Sequence, residues 1–352
     1  MLPWTLIIGV VAATVLVLVT LVRVHARHKL RRLLSSRRDQ HVVLLGASSG
    51  VGEHLAYEYA MRGAHIVLAA RRADRLERVK SHCLDLGAAA VLTVSTDATN
   101  VAALRNLRDE SVNFFPDGHI NAVVYCAGIL NVCPFDVLLD APGQENNEQA
   151  TRIVDRMFNI NALAPIHLAR IFLPALRATA DHIAATTDVR ERGPVPVVAP
   201  SLTVISSVAG LLPAPSRALY CSSKAAMHGF FDSLRIEEQR RVANLTKAHD
   251  VRLDADVDRH LAYAPLPVQI RLVAPGTIGG TDLRQTAADA SLWREGFPQV
   301  SNKAAMTPEF VAKEMFMQSE DVLVLPTWYW GAVAIRSVAP GLIDFMASKK
   351  YK

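Results

Sequence analysis

The stretch HVVLLGASSGVGEHLAYEYAMRGAHIVLAARR, residues 41–72, decides the fold. HVVLLG, from His41 to Gly46, is a short apolar run ending in glycine, and VGEHLAYEYAMRG behind it carries apolar residues at helical spacing. HIVLAA, from His65 to Ala70, follows Gly63 and ends in Arg71 and Arg72. Strand, glycine turn, helix and second strand follow in order. Near-continuous apolar strands of this kind suit a parallel sheet covered on both faces.

The alternation continues outward. A mixed segment from Asp74 to Leu86 reads as the next helix, followed by VLTVS (Val91 to Ser95) and a helical stretch from about Asn100. AVVYCAG (Ala122 to Gly128), a long helix from about Asn147 to Leu176 and LTVISS (Leu202 to Ser207) come next. A helix from about Tyr220 to Val242, QIRLVAPG (Gln269 to Gly276) and VLVLP (Val322 to Pro326) complete the series. The expectation is an α/β protein with a doubly wound parallel-sheet Rossmann fold in one domain, residues 40–330. Its crossovers should be right-handed, with ligands at the carboxyl ends of the strands. Three stretches rich in Pro or charge, about 131–146, 179–200 and 243–267, read as surface insertions. The apolar extension 331–352 is interrupted by Arg336 and Pro340 before it could span a membrane, and is expected to pack on the body or lie at an interface.

Of the 352 residues, 51% are hydrophobic and 20% charged, which excludes a mostly disordered, collagen-like or coiled-coil chain. The net charge of +5 is local: residues 1–39 hold seven Lys/Arg and one acid, and the remaining 31 basic residues face 32 acidic ones. No electrostatic basis for nucleic-acid binding remains. Cys83, Cys126, Cys133 and Cys221 form no C-x-x-C pair and read as free thiols, with no metal site.

Met1 to Val22 carries no charge. As a helix it would reach about 33 Å, enough for a hydrocarbon core of about 30 Å, so residues 1–22 are expected to be a transmembrane helix. A cleaved signal peptide would need a basic stretch before the apolar run, and here the basic stretch, 23–39, follows it. That linker predicts a single-pass anchor with the body in the cytosol. Asn244-Leu245-Thr246 is a glycosylation sequon, usable only on the lumenal side.

Gly46-Ala47-Ser48-Ser49-Gly50-Val51-Gly52 joins the first strand to the first helix. Glycines there allow a tight turn and bring a pyrophosphate close to the amides of a helix N-terminus. An acid at the end of the second strand would accept ribose hydroxyls, whereas Arg71 and Arg72 suit a 2′-phosphate, so NADP(H) is the expected cofactor. Tyr220 and Lys224 stand four residues apart at a helix start and share a face. An ammonium beside a phenol stabilises phenolate, making Tyr220 a usable proton donor or acceptor. Ser207, thirteen residues earlier at a strand end, can donate to a substrate oxygen.

With these residues in place, the chain resembles the short-chain dehydrogenase/reductase family over residues 40–330. The motifs are GASSGVG at 46–52, Asp97 after the third strand, Cys126-Ala127-Gly128, Asn161 with Pro174 downstream, ISSVAG at 205–210, Tyr220 with Lys224, and VAPG at 273–276. The resemblance implies Tyr220 as general acid/base and Lys224 as partner of the nicotinamide ribose. It implies Ser207 orienting the carbonyl and Asn161 supporting a proton relay. Asp97, with Ala98, would face the adenine, and Pro275, Gly276, Ile278 and Thr281 the nicotinamide side. Homodimers are compatible with the resemblance.

Finer similarity, in residues 54–72, 78–90 and the tail WYWGAVAIRSVAPGLIDF, points to the membrane-anchored 11-beta-hydroxysteroid dehydrogenase branch, which implies an endoplasmic reticulum membrane. The chain departs from the family in three places: Cys126 replaces the usual asparagine, Ser49 stands where NADP-preferring relatives often carry a basic residue, and the segment Gly276 to Thr281 is one residue longer. Enzymes of the 11-beta branch have lumenal catalytic domains, the opposite of the side its flanking charge predicts. The reading is an NADP(H)-dependent oxidoreductase interconverting a secondary alcohol and a ketone on a lipophilic, steroid-like molecule. Alternatives are a 3-ketosphinganine-type reductase and a non-catalytic NADP-binding membrane scaffold.

Overall fold

A computed structural model of the chain describes residues 39–139, 148–186, 198–253, 265–283, 287–289, 305–318 and 320–350. The expected anchor and the basic linker as far as residue 38 lie outside these residues. Among the described residues no helix is long and apolar enough to cross a membrane.

Seven parallel strands form one sheet: β1 His41–Leu45, β2 His65–Ala70, β3 Ala90–Ser95, β4 Ala122–Tyr125, β5 Ser201–Ile205, β6 Gln269–Pro275 and β7 Val322–Leu325. Their spatial order is β3-β2-β1-β4-β5-β6-β7. The order reverses between β1 and β4, so the loops leaving their carboxyl ends diverge to opposite faces and open a crevice. Val42 pairs with Ile66 on one side and Ala122 on the other, which aligns the strand ends around that crevice.

Nine helices are described: α1 Gly50–Ala60, α2 Ala73–Asp85, α3 Val101–Phe114, α4 Glu148–Phe158, α5 Ala164–Thr186, α6 Ala218–Leu253, α7 Pro308–Met317, α8 Tyr329–Val338 and α9 Pro340–Lys350. The central strands β1, β4, β5 and β6 are buried along nearly their whole length because both faces are covered. Val43 and Leu45 pack with Leu104 of α3, Phe172 of α5 and Phe231 of α6. Val42 and Leu44 point the other way, to Leu55 of α1, Leu76 of α2 and Met315 of α7. Local sequence sets the helix starts: Asn100 Oδ1 accepts from the N–H groups of Ala102 and Ala103 at the head of α3, and Thr307 caps α7 before Pro308.

Four expectations about the elements change. The long helix expected from 147 to 176 is two helices joined by a π-helical turn, Asn159–Leu163, and α5 runs on to Thr186 into the expected insertion 179–200. α6 likewise continues past Val242 to Leu253, because a charged segment forms a solvated helix as readily as a loop. In the 131–146 stretch, Asn131 and Cys133 are buried instead of lying on the surface. The tail forms α8 and α9, which expose Trp330, Val338, Leu342, Phe345 and Met346 while Ile343 is buried. Residue 330, taken as a boundary, falls inside α8.

Candidate active site

Every strand from β1 to β6 delivers its following residues to one cavity of about 630 Å³ at the carboxyl edge of the sheet. β1 ends in the glycine turn. Gly46 has φ +94°, and a Cβ there would stand 2.5 Å from Ala127 N, while one on Gly52 would stand 2.3 Å from Gly46 O. Only hydrogen fits at either position, which lets α1 begin directly over the strand. Ser49, at the N-cap of α1, makes no side-chain cap bond, so the first amides of the helix stay open to an anion.

Arg72 turns its guanidinium back to this loop, donating to Ser48 Oγ at 3.0 Å and Ser49 Oγ at 2.9 Å. Its other amino group meets Asp282 Oδ2 at 3.0 Å. The Arg75 and Arg72 guanidiniums hold the Asp282 carboxyl below its ordinary range. After β3, Asp97 accepts from Thr99 N–H and Oγ1. Burial opposes its ionisation, yet these bonds and the Arg71 charge hold its pKa below the usual value. A turn that admits no Cβ, an uncapped helix start and a guanidinium beside two hydroxyls together fit a dinucleotide phosphate group.

The opposite end of the cavity holds the polar groups with acid/base potential. Ser207 Oγ donates to Pro275 O at 3.3 Å and accepts from Ala209 N–H at 3.1 Å. Tyr220 and Lys224 sit on the first turns of α6 with the ammonium 5.8 Å from the phenol ring centroid, as their spacing predicts. Lys224 is 3% exposed and donates to Ile205 O at 3.0 Å. Burial pushes its pKa down from 10.5 to about 7. Gly128 stands between groups: a Cβ on it would lie 3.4 Å from Asn161 Oδ1 and 3.7 Å from Lys224 Nζ.

Asn161 occupies the π-helical turn and is fully buried. Its Oδ1 accepts from Ile129 N–H at 3.0 Å, and its Nδ2 donates to Ile129 O at 2.9 Å and Ser223 Oγ at 3.1 Å. A π turn supplies one extra residue per turn and appears mostly at functional sites. Here it places the amide between the β4 loop and α6.

Residues 40–247 match the short chain dehydrogenase family. The chain belongs to that family. It is 34% identical over 196 residues to 11-beta-hydroxysteroid dehydrogenase A of Sesamum indicum, covering 56% of this chain and 47% of the relative. Hydroxysteroid 11-beta-dehydrogenase 1-like protein A of Xenopus laevis is 30% identical over 211 residues, covering 60% of this chain and 62% of that protein. The chain thus spans about half the length of the plant relatives it matches. Among solved structures, a short chain dehydrogenase/reductase from Burkholderia phymatum in complex with NAD superposes with a TM-score of 0.61. It covers 87% of this chain and 96% of its own at 20% identity. An alcohol dehydrogenase from Thermococcus sibiricus complexed with 5-hydroxy-NADP gives 0.56 at 18% identity, over 81% and 95%. At those identities the likeness is one of fold.

Within this short-chain dehydrogenase, the expected site residues divide by position. Gly46, Ser48, Ser49, Gly50 and Val51 line the cavity on the β1 side. Arg71, Arg72, Asp97 and Ala98 line its far end, and Cys126, Ala127 and Gly128 its floor. Ser207, Tyr220 and Lys224 line it with Pro275, Gly276, Ile278 and Thr281. Gly52 and Asn161 stand just behind the wall. Cys126 packs its side chain towards Gly52, where a Cβ would come within 3.1 Å, and burial pushes its thiol up to about 12.

Sequence reasoning missed two groups. Asn131, at the edge of an expected insertion, is 2% exposed, and its Oδ1 accepts from Tyr220 N–H at 2.8 Å. Asp289 in turn accepts from the N–H groups of Val132 and Cys133, fixing that loop. The tail supplies Trp328, Tyr329, Ile343 and Met346 to the cavity, with the Tyr329 ring against Gly276. The aromatic run TWYW directly after β7 was the available signal, since aromatic residues beyond a strand's carboxyl end fall near the ligand crevice.

Proposed function

We propose that the chain is an NADP(H)-dependent oxidoreductase that moves hydride between nicotinamide and a secondary alcohol or ketone on a lipophilic molecule. The observation that carries this reading is the pairing, in one cavity, of Arg72 with two loop hydroxyls at one end and Ser207, Tyr220 and Lys224 at the other. The nicotinamide, when bound, supplies or accepts the hydride. Ser207 exchanges its bond to Pro275 O for one to the substrate oxygen and polarises it. Tyr220 gives its phenol proton to that oxygen in reduction and takes it back in oxidation. Lys224 stabilises the phenolate so formed, and Asn161 holds the β4 loop and α6 in the register that keeps Gly128 clear of the ammonium.

A steroid-like substrate is supported by the similarity to hydroxysteroid dehydrogenases and by an apolar wall that includes Leu130, Leu212, Trp328 and Met346. A membrane location is supported by the uncharged run Met1 to Val22 and by the exposed apolar residues of α8 and α9 near the cavity. The basic flank Arg23 to Arg38 favours a cytosolic body, with the endoplasmic reticulum as the membrane. Endoglycosidase should therefore leave the mobility of the expressed protein unchanged despite the exposed Asn244.

The test is oxidation of NADPH, with NADH as control, by the full chain in detergent, offered steroid ketones and long-chain 3-keto sphingoid bases in parallel. Turnover of a steroid ketone with NADPH is the expected result. Turnover of the sphingoid ketones alone transfers the assignment to a lipid ketone reductase. Tight NADPH binding without turnover of any carbonyl refutes the enzymatic reading.

A further inference from the structure

The loop that leaves β6 folds back over the glycine turn. A Cβ on Gly50 would touch the Thr281 methyl at 3.4 Å, so the loop crosses the groove at the start of α1. The next residue, Asp282, reaches the two guanidiniums at the far end. Its Oδ2 accepts from Arg72 Nη1 at 3.0 Å and from Arg75 Nη1. Arg72 meanwhile bridges to Ser48 and Ser49 through Nη2. One carboxylate, two guanidiniums and two hydroxyls thus tie the β6 loop to the end of β2 and to the glycine turn.

Asp282 engages one amino group of each guanidinium through a single oxygen, and the Ser48 and Ser49 hydroxyls stand beside the other amino group of Arg72. Two guanidinium forks and two hydroxyls match a group with three acceptor oxygens and about two negative charges, which is a phosphate monoester. The carboxylate is the smaller anion in that seat. Arg72, Arg75 and Asp282 have side-chain exposures of 38%, 35% and 34%, so water reaches all three and the ion pairs can be exchanged without uncovering a buried charge.

We infer that Asp282 is an internal competitor for the 2′-phosphate seat: it holds Arg72 and Arg75 until a 2′-phosphate displaces it, and its displacement frees the β6 loop from the groove. The inference rests on the reading of Arg72 as the 2′-phosphate partner proposed above. It makes Asp282 a specificity-determining residue. A dinucleotide with a free 2′-hydroxyl leaves the clasp in place, whereas NADP(H) binds at the expense of two ion pairs and against the charge of the displaced carboxylate. Cofactor choice and the position of a loop that lines the cavity are thereby coupled through one side chain.

Dissociation constants for NADPH, NADH and 2′,5′-ADP, measured by fluorescence and calorimetry on the full chain and on Asp282→Asn, test this without reliance on turnover. Asp282→Asn should tighten NADPH and 2′,5′-ADP by about threefold to thirtyfold, the range set by two partly exposed ion pairs, and change NADH less than twofold. Unchanged or weakened NADPH binding overturns the inference. Amide exchange on the unmutated chain supplies a second measurement: residues 281–283 should exchange faster with 2′,5′-ADP than with 5′-ADP, and equal rates overturn it as well. Failure of the underlying cofactor reading looks different. In that case the unmutated chain prefers NADH, and Arg72→Gln leaves NADPH affinity unchanged.

Discussion

Replacing Lys224 with Met should stabilise the protein, and should do so in a pH-dependent way. Lys224 is 3% exposed, and its described partners are the Ile205 carbonyl, the Met227 thioether and the face of the Tyr220 ring, none of them an anion. Burial lowers its pKa from 10.5 to about 7. At about 1.4 kcal/mol per pKa unit, holding this ammonium in the folded state at pH 7 costs on the order of 4 kcal/mol. The unfolded chain keeps the lysine proton up to its ordinary pKa, whereas the folded chain loses it from about pH 7. Between those values the unfolded state binds more protons, so stability rises with pH, and below pH 7 the full penalty applies.

Comparing the variant with wild type separates the lysine from the other titrating groups, which the two proteins share. Burial depresses His65 and His228 below their ordinary 6.5, so their effect is complete before pH 7.5. Burial raises Cys83, Cys126 and Cys133 from 9.0 to about 12 and Cys221 in the same direction, so both proteins lose stability as their unfolded thiols ionise on the approach to pH 9. From pH 7.5 to 8.5 the lysine alone should add about 1 kcal/mol. Urea unfolding of the cofactor-free chain and of Lys224→Met at the two pH values measures it. Lys224→Met should start more stable than wild type, and that advantage should shrink by about 1 kcal/mol from pH 7.5 to 8.5. Parallel pH responses would refute the desolvation argument, and with it the claim that the ammonium waits for an anion at Tyr220.

Tyr220→Phe should abolish carbonyl reduction while leaving the NADPH dissociation constant within about twofold, because only the phenol proton is removed; retained reduction removes Tyr220 as proton donor. Gly52→Ala should cost about 1–3 kcal/mol in urea unfolding and weaken NADPH, since its Cβ would press on Gly46 O at 2.3 Å and push α1 off the turn. Wild-type stability and affinity in that variant would show that the helix start is not held so closely. Ser at both Trp328 and Trp330, which are 63% and 45% exposed, should reduce flotation of the chain lacking residues 1–38 with neutral lipid vesicles. Flotation that is unaffected excludes α8 as a membrane contact.

The sheet was legible because most of its strands are buried on both faces and read as short, largely apolar runs, and because glycines and charges punctuate their ends. Much of the site was legible for the same reason, since the glycine turn, Arg71 and Arg72, Asp97, Cys126 and Ser207 stand just after strands, while Tyr220 and Lys224 were legible from their spacing on one helix. The π turn at Asn159–Leu163 was not, because NINAL continues a helical pattern and the forces that add the extra residue are bonds to Ile129 and Ser223, 32 and 62 residues away. Asn131 and Asp289 escaped for a related reason. Their segments have no periodicity of their own, and their bonds to Tyr220, Val132 and Cys133 form only after the strands have assembled.

Cys126 in place of the family's asparagine invites the idea of a fold kept without catalysis, and the structure lets the two departures from ordinary packing be weighed together. The cysteine contributes a small neutral side chain against Gly52, while its backbone N–H still donates to Leu45 O at 2.7 Å. The strand register and the cavity floor survive the exchange. Lys224 is the opposite case. A fold that bound no ligand here would gain several kcal/mol from an apolar residue in that position, since a buried ammonium with no described anionic partner opposes folding. A strongly shifted group in a cleft, with no structural ion pair to offset its cost to folding, is a candidate functional group. The buried ammonium therefore argues for a working ligand site that Cys126 leaves intact, and Tyr220→Phe separates turnover from binding alone.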